Sequence, residues 1–313
     1  MSFTTNIKEE ISNFKSSKSE LIAELSGYIR NNGNRTKNNI VMSTENKWIM
    51  DRITNALKEF YNLDLAIEVV ENLNFSKKDL YQIKIPITND KCLKELGVLD
   101  DKNQYLENLP DYMIDSNEEI KGYLRGAFLA SGSINDPKTS RYHMELVVGE
   151  PQESILVQKL LNMFDLNAKI LNREKGYMIY IKEAEKISDF IKILGATKAV
   201  LYYENVRVYR DKKNSTNRLN NMEQANMDKI IETANSQLKD IEIIEENDGL
   251  MLLDEKVTEA LKYRKKYPEA SLKELAEIIS LETNKSITKS GLNHRLKKIS
   301  DLADSFRKMK KES

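Results

Sequence analysis

Residues 121–137 read Lys-Gly-Tyr-Leu-Arg-Gly-Ala-Phe-Leu-Ala-Ser-Gly-Ser-Ile-Asn-Asp-Pro. Gly122, Gly126 and Ala130 recur every fourth residue, which on a helix lines one face with almost no side chain and lets a second backbone approach. Leu124, Phe128 and Leu129 flank that strip. Gly132 falls where the helix is expected to end on a left-handed residue, and Asp136-Pro137 marks the next turn. A helix this bare predicts a helix as its partner.

The partner is a second copy of the same stretch. An offset of 99 residues places Ala23, Gly27 and Asn31 on Gly122, Gly126 and Ala130, Leu25 on Leu124, and Gly33 on Gly132. After the first copy, residues 40–44 read as a strand, and 47–61 carry helical spacing through Trp48, Ile49, Ile53, Leu57 and Phe60. Residues 65–70 and 80–87 then read as strands. After the second copy the order returns: a strand at 142–148, a helix at 153–164, and strands at 168–171 and 177–181 around a turn at 174–176. Helices at 90–96 and 184–194 close the two units.

Composition frames the rest. A chain of 313 residues, 31% of them charged and with 11 Gly and 5 Pro, suggests about two helix-rich domains rather than disorder. The single cysteine, Cys92, excludes an internal disulfide and fits a reducing compartment. Residues 1–14 carry Lys8, Glu9 and Glu10 without an apolar run, so no signal peptide is expected. No later segment is apolar enough to span a bilayer. A cytoplasmic protein without membrane partners is the expectation.

Charge is uneven. Residues 1–195 hold 26 Lys plus Arg against 29 Asp plus Glu, residues 196–250 hold 8 against 10, and residues 251–313 hold 15 against 10. Phosphate neutralisation dominates DNA affinity, so the last segment makes the stronger case for it. Residues 206–221 add Arg207, Arg210, Lys212, Lys213 and Arg218 among asparagines and hydroxyls. They read either as phosphate contacts or as a solvated linker with helix caps. Met227, Ile230, Ile231, Ala234, Leu238 and Ile241 then predict a helix over about 222–244, broken by the acidic run 245–249.

The final segment has the form of a helix-turn-helix. A helix over 257–267 ends at Pro268, and Ser271 with Glu274 forms a capping box ahead of a helix to 279. A connection over 280–287 leads to a last helix over 288–300. Leu292, Leu296 and Ile299 share the face that packs on Leu272, Leu275 and Ile279. Ser290, Asn293, His294 and Lys297 face the other way, as a helix in the major groove requires. Lys289, Arg295 and Lys298 complete the expected DNA contacts, with Arg295 and Lys298 suited to phosphates, and residues 285–313 hold nine basic residues against three acidic ones.

The repeat resembles the LAGLIDADG homing-endonuclease fold, with residues 25–33 and 124–132 on the nine motif positions. That resemblance implies two sheets presented as a saddle, and a metal-binding acid at the eighth position of each motif. Those positions are Asn32 and Ser131, a neutral amide and a hydroxyl, which are poor ligands for a hard divalent cation. Asn31, Asn32 and Asn34 read as ligand contacts or, more simply, as caps and turn formers; Asp136 and Glu145 are the carboxylates near that end.

Together with Asn-Ser-Thr-Asn-Arg at 214–218 and Thr-Lys-Ser-Gly-Leu-Asn-His-Arg-Leu at 288–296, the chain resembles the WhiA family. The expected class is α+β: a pseudo-symmetric two-repeat domain over 1–205 (repeats about 15–97 and 115–195), a basic linker and helix over 206–250, and an all-α helix-turn-helix domain over 251–313. The resemblance implies a bacterial, nucleoid-associated transcriptional regulator bound to double-stranded DNA. It is linked to sporulation in mycelial actinobacteria and to cell division and chromosome segregation elsewhere. It implies no catalysis, metal or cofactor, and another transcription factor or RNA polymerase as further partners. The alternatives are a metal-dependent endonuclease with rearranged ligands and an architectural or protein-interaction factor.

Overall fold

Two helices with the same start signal organise the first part of the chain. In a computed structural model describing residues 2–70, 79–88, 90–139 and 141–312, helix α1 spans Phe3–Ser12 and α2 spans Lys18–Asn32. Ser17 caps the Glu20 N–H while the Glu20 carboxylate takes the Ser17 N–H at 2.8 Å. Downstream come β1 (Asn34–Arg35), β2 (Asn39–Thr44), α3 (Lys47–Tyr61), β3 (Glu68–Val70), β4 (Leu80–Pro86) and α4 (Asp90–Glu95). Helix α5 (Asn117–Ser131) then repeats α2 at the offset of 99, with Ser116 and Glu119 forming the same capping box.

The second repeat continues as β5 (Gly132–Ile134), β6 (Met144–Val148), α6 (Pro151–Asn162), β7 (Lys169–Arg173), β8 (Gly176–Ile181) and α7 (Ala184–Leu194). Each repeat builds an antiparallel four-stranded sheet of one topology, β1-β2-β4-β3 and β5-β6-β8-β7. The offset holds for the long helices and drifts afterwards because the loops differ in length. The chain divides into two compact units, Met1–Asp211 and Lys212–Ser313.

Helices α2 and α5 pack through their bare strips. A Cβ added at Gly122 would overlap the Glu20 carbonyl, one at Gly126 the Glu24 carbonyl, and one at Gly27 the Tyr123 carbonyl. Gly33 and Gly132 close these helices in extended backbone, at φ −68° and −74°, and not in the left-handed conformation expected. They are glycine for want of space: a Cβ would meet the Ile29 carbonyl in one case and the Phe128 ring in the other.

Buried polar groups tie the repeats together. Glu24, fully buried, accepts from Arg52 Nε at 2.5 Å and Arg125 Nη1 at 3.4 Å. Glu153 accepts from Tyr123 Oη at 2.5 Å, Asn31 Nδ2 at 3.0 Å and Arg30 Nε at 3.0 Å. Lys8 donates to the Leu129 carbonyl at 3.1 Å, a cation at the C-terminal end of α5. Burial pushes its ammonium down from 10.5 to about 8. The unfolded chain therefore binds more protons between about pH 8 and 10.5, and Lys8 makes stability rise with pH across that window. Lys8→Met is expected to raise stability at pH 7 by on the order of 2 kcal/mol, with the gain fading towards pH 10.5. Urea midpoints at pH 7, 9 and 10.5 test this.

Helix α8 (Thr197–Glu246) is continuous for 50 residues. Residues 206–221, open above between phosphate contacts and a linker, are helical throughout, and the helix expected from about 222 starts 25 residues earlier. No Gly or Pro interrupts the chain between Gly195 and Gly249. The Glu10 carboxylate holds its start, accepting from the Lys198 and Ala199 N–H groups.

The second unit packs α9 (Glu255–Lys266), α10 (Leu272–Thr283) and α11 (Lys289–Glu312) with the end of α8. Its core is Ile241, Ile244, Val257, Leu261, Leu275, Ile279, Leu292, Leu296, Ile299 and Ala303. Helix α11 runs twelve residues beyond Ser300, where it was expected to stop, because Ala303 and Phe306 continue its apolar stripe. The side chains of Lys310 and Lys311, counted in the basic end, lie outside the described residues.

Candidate nucleic-acid interface

The turn between α10 and α11 is shorter than the connection expected over 280–287, because α10 continues to Thr283. Asn284 ends it in the left-handed conformation at φ 53°, and the Ser280 hydroxyl accepts from the Ile287 N–H at 3.0 Å, tying the turn back to α10. Thr288 then caps α11, its Oγ1 accepting from the Gly291 N–H at 3.1 Å. Lys289 is thereby the first helical residue.

From that start, Leu292, Leu296 and Ile299 face the core, and Lys289, Ser290, Asn293, His294, Lys297 and Lys298 are exposed. Two of the expected phosphate contacts also pair with carboxylates of α9. Arg295 pairs with Glu259 at 3.1 Å, and Lys298 with Asp254 at 3.2 Å, where Asp254 also caps α9. Lys289 and Lys297 have no carboxylate partner among the described residues. The solvent face of α11 thus offers amide, hydroxyl, imidazole and ammonium groups, the types that read base edges and phosphates.

The basic stretch of α8 divides in the same way. Arg210 donates to the Pro137 and Thr139 carbonyls at 2.6 and 2.5 Å and lies over the Tyr142 ring, so it clasps a loop of the first unit. Arg207 pairs with Glu204 at 3.2 Å. Lys212, Lys213 and Arg218 are exposed.

At the two motif acid positions the side chains are spent on structure. Asn32 Nδ2 donates to the Ser43 carbonyl at 3.1 Å and its Oδ1 accepts from the Ser43 N–H at 2.9 Å, so the amide pairs with β2 as another strand would. Ser131 points back to the Ala127 carbonyl at 3.5 Å. Asn31, Asn32 and Asn34 line a cleft of about 740 Å³ with Arg30, Tyr105 and Glu153. The displaced carboxylates are engaged elsewhere: Asp136 accepts from Tyr202 Oη at 3.1 Å, and Glu145 pairs with His143 at 3.2 Å and Arg173 at 3.6 Å. No group of three His, Cys, Asp or Glu among the described residues is placed to hold a metal ion.

Both halves of this geometry match known family models. Residues 18–99 match the WhiA N-terminal LAGLIDADG-like domain, 120–213 the WhiA LAGLIDADG-like domain, and 216–303 the WhiA C-terminal HTH domain. The chain belongs to the WhiA family. It is 38% identical to a probable cell division protein WhiA of Enterococcus faecalis over 98% of this chain and 99% of that protein. It is 41% identical to one of Staphylococcus haemolyticus over 98% of each. A crystal structure of full-length DUF199/WhiA from Thermatoga maritima is similar with a TM-score of 0.57 and 26% identity, covering 98% of this chain and 99% of that one.

Membership in the WhiA family covers both units, and the chemistry within them differs. Asn32→Asp would set a carboxylate against the Ser43 carbonyl where an amide now donates. It is expected to cost about 1–3 kcal/mol at neutral pH, read as a lowered denaturation midpoint. Glu153, Arg125 and Arg264 were not expected in the interior, although helical spacing carries the signal: Glu153 is in phase with Val157, Leu160 and Leu161, Arg264 with Val257, Ala260 and Leu261, and Arg125 lies within the apolar run 123–129. Among the described residues no helix is long and apolar enough to cross a membrane.

Proposed function

We propose that this protein is a sequence-specific regulator of transcription that binds double-stranded DNA through residues 251–313 and does not cut it. The exposed face of α11 carries the reading: Ser290, Asn293, His294 and Lys297 stand on a helix seated by Leu292, Leu296 and Ile299, behind a capped helix and a tied turn. That is the arrangement by which a recognition helix enters the major groove. The amide pairing of Asn32 with Ser43 supports the absence of nuclease chemistry, because a neutral amide already hydrogen-bonded through both polar atoms to β2 is a poor ligand for a hard divalent cation.

Residues 1–205 then act as a scaffold or accessory surface, and Lys212, Lys213 and Arg218 of α8 serve as phosphate contacts. The relatives' name supports cell division as the process, and the family resemblance adds chromosome segregation and, in mycelial relatives, sporulation. We place the protein on the nucleoid in the cytoplasm, with RNA polymerase or a second transcription factor as its protein partner.

The test is selection of the full chain on a random duplex library with magnesium present. A defined motif and intact DNA are expected. Asn293→Ala should then flatten the preference at one base position, about tenfold in affinity, and Lys212→Ala should weaken all sequences alike. Uniform weak binding would make the protein an architectural factor, and magnesium-dependent nicking would restore the endonuclease reading.

A further inference from the structure

Within the second unit lies a buried cation with no counterion among the described residues. Arg264, in the last turn of α9, is 1% exposed. Its Nη1 donates to the Ala270 carbonyl at 2.7 Å and, at 3.4 Å, to the Tyr267 carbonyl, while Nε has no hydrogen-bond partner. No carboxylate pairs with it among the described residues. Burial pulls its guanidinium below the ordinary value. Arginine does not give up its proton in a protein, so the charge stays and is costly to hold unpaired.

The neighbourhood of Arg264 is built for an anion. It lines a cleft of about 340 Å³ together with Lys229 of α8, Ser271 and Leu272 at the start of α10, Lys273, and Lys289 at the start of α11. Ser271 caps the Glu274 N–H, which leaves the Leu272 and Lys273 N–H groups at the positive end of a twelve-residue helix without protein acceptors. Lys229 and Lys289 are exposed and carry no carboxylate partner among the described residues. The acid in the first turn of this helix, Glu274, turns its carboxylate onto the Ser271 N–H at 2.8 Å.

We propose that this cleft is a phosphate site, with the buried Arg264 as its floor, the α10 N-terminus as its wall and Lys229 and Lys289 as its rim. The phosphate comes either from a DNA backbone or from a free phosphorylated ligand; only the first source rests on the function proposed above. Arg264 anchors from within the core, unlike a surface lysine, so its contact is fixed in position. A phosphate bound there completes a pair that the protein leaves half made.

Two measurements on the full chain decide it. In the first, thermal melts compare sodium phosphate with sodium chloride at equal ionic strength. A specific rise in the melting temperature is expected, because an anion that binds the folded state alone stabilises it. It should be lost in Arg264→Gln and in the doubly substituted Lys229→Ala, Lys289→Ala protein, whose changes lie on the surface and leave the core intact. In the second, single backbone phosphates of the selected duplex are replaced by neutral methylphosphonates. One replacement should weaken wild-type binding about tenfold and leave the variants' binding unchanged. Both effects together assign the site to DNA, and the coupling without the phosphate-dependent melt does so as well. The melt effect alone assigns it to a free phosphorylated ligand. Absence of both effects overturns the site, even where the chain binds DNA well. A chain that selects no DNA leaves the melt to decide, so the two proposals fail separately.

Discussion

Replacing Gly126 with valine is expected to prevent the first unit from folding. A Cβ at this position would overlap the Glu24 carbonyl oxygen and crowd the Tyr28 nitrogen, and both are backbone atoms of α2. Backbone in the middle of a helix cannot rotate aside as a side chain does, so α2 and α5 would have to separate. That separation would also strain the Gly27–Tyr123 and Gly122–Glu20 contacts, which use the same close approach. Overpacking of an adaptable core costs about 1–3 kcal/mol, and a site that cannot adapt exceeds that range. Circular-dichroism melts should show the loss. Gly149→Ala is the control: a Cβ there meets nothing within 4 Å, and its effect should stay within about 0.5 kcal/mol.

The same spacing that makes this prediction made the repeat legible. Small residues four apart on two stretches 99 residues apart have few uses other than a helix pair, and the capping boxes at Ser17 and Ser116 obey the offset too. The loss of the motif acids was equally plain, since Asn32 and Ser131 stand at aligned positions. Two features were not legible. Residues 206–221 were open between phosphate contacts and a linker, because basic residues stand among Asn, Ser and Thr, which favour caps and turns; the absence of Gly and Pro lets α8 continue. Local pairs such as Gln224 with Asp228 at 2.9 Å support it further along. Gly33 and Gly132 looked like left-handed caps because glycine is common there, whereas the crowding that demands glycine comes from tertiary neighbours.

The candidate interface shows the same division. The amphipathic pattern of α11 sorts core from solvent correctly, since helical geometry alone decides which residues share a face. It does not say which cations also pair within the protein. Arg295 and Lys298 find Glu259 and Asp254 on α9 through contacts 36 and 44 residues apart in sequence. Arg264 stands in the run Arg-Lys-Lys at 264–266 but shares the helical stripe of Val257, Ala260 and Leu261, so the periodicity of α9 turns it inward and leaves its two neighbours outside that stripe.

Glu24→Ala is expected to cost about 3–5 kcal/mol, because it strands two guanidiniums in the interior. Arg52 reaches Glu24 at 2.5 and 2.9 Å and also donates to the Ser12 and Phe14 carbonyls. Arg125, 1% exposed, lies 4.5 Å over the Phe14 ring and donates to the Leu194 carbonyl, with Glu20 only at 3.6 Å to share its charge. Without Glu24 the two cations repel each other where water cannot screen them. Glu24→Gln keeps one acceptor and should cost less. Exchanging Glu24 for leucine and Arg125 for methionine together should cost less than the two single changes added, since the pair then disappears as a unit. Urea denaturation of the four proteins gives the coupling. DNA selection supplies the functional reading, because every residue of this network belongs to the first unit while Asn293, His294 and Lys297 belong to the second. The motif selected by Glu24→Ala should therefore match that of the wild type even where its affinity falls. A changed motif would mean that the two repeats take part in reading the sequence.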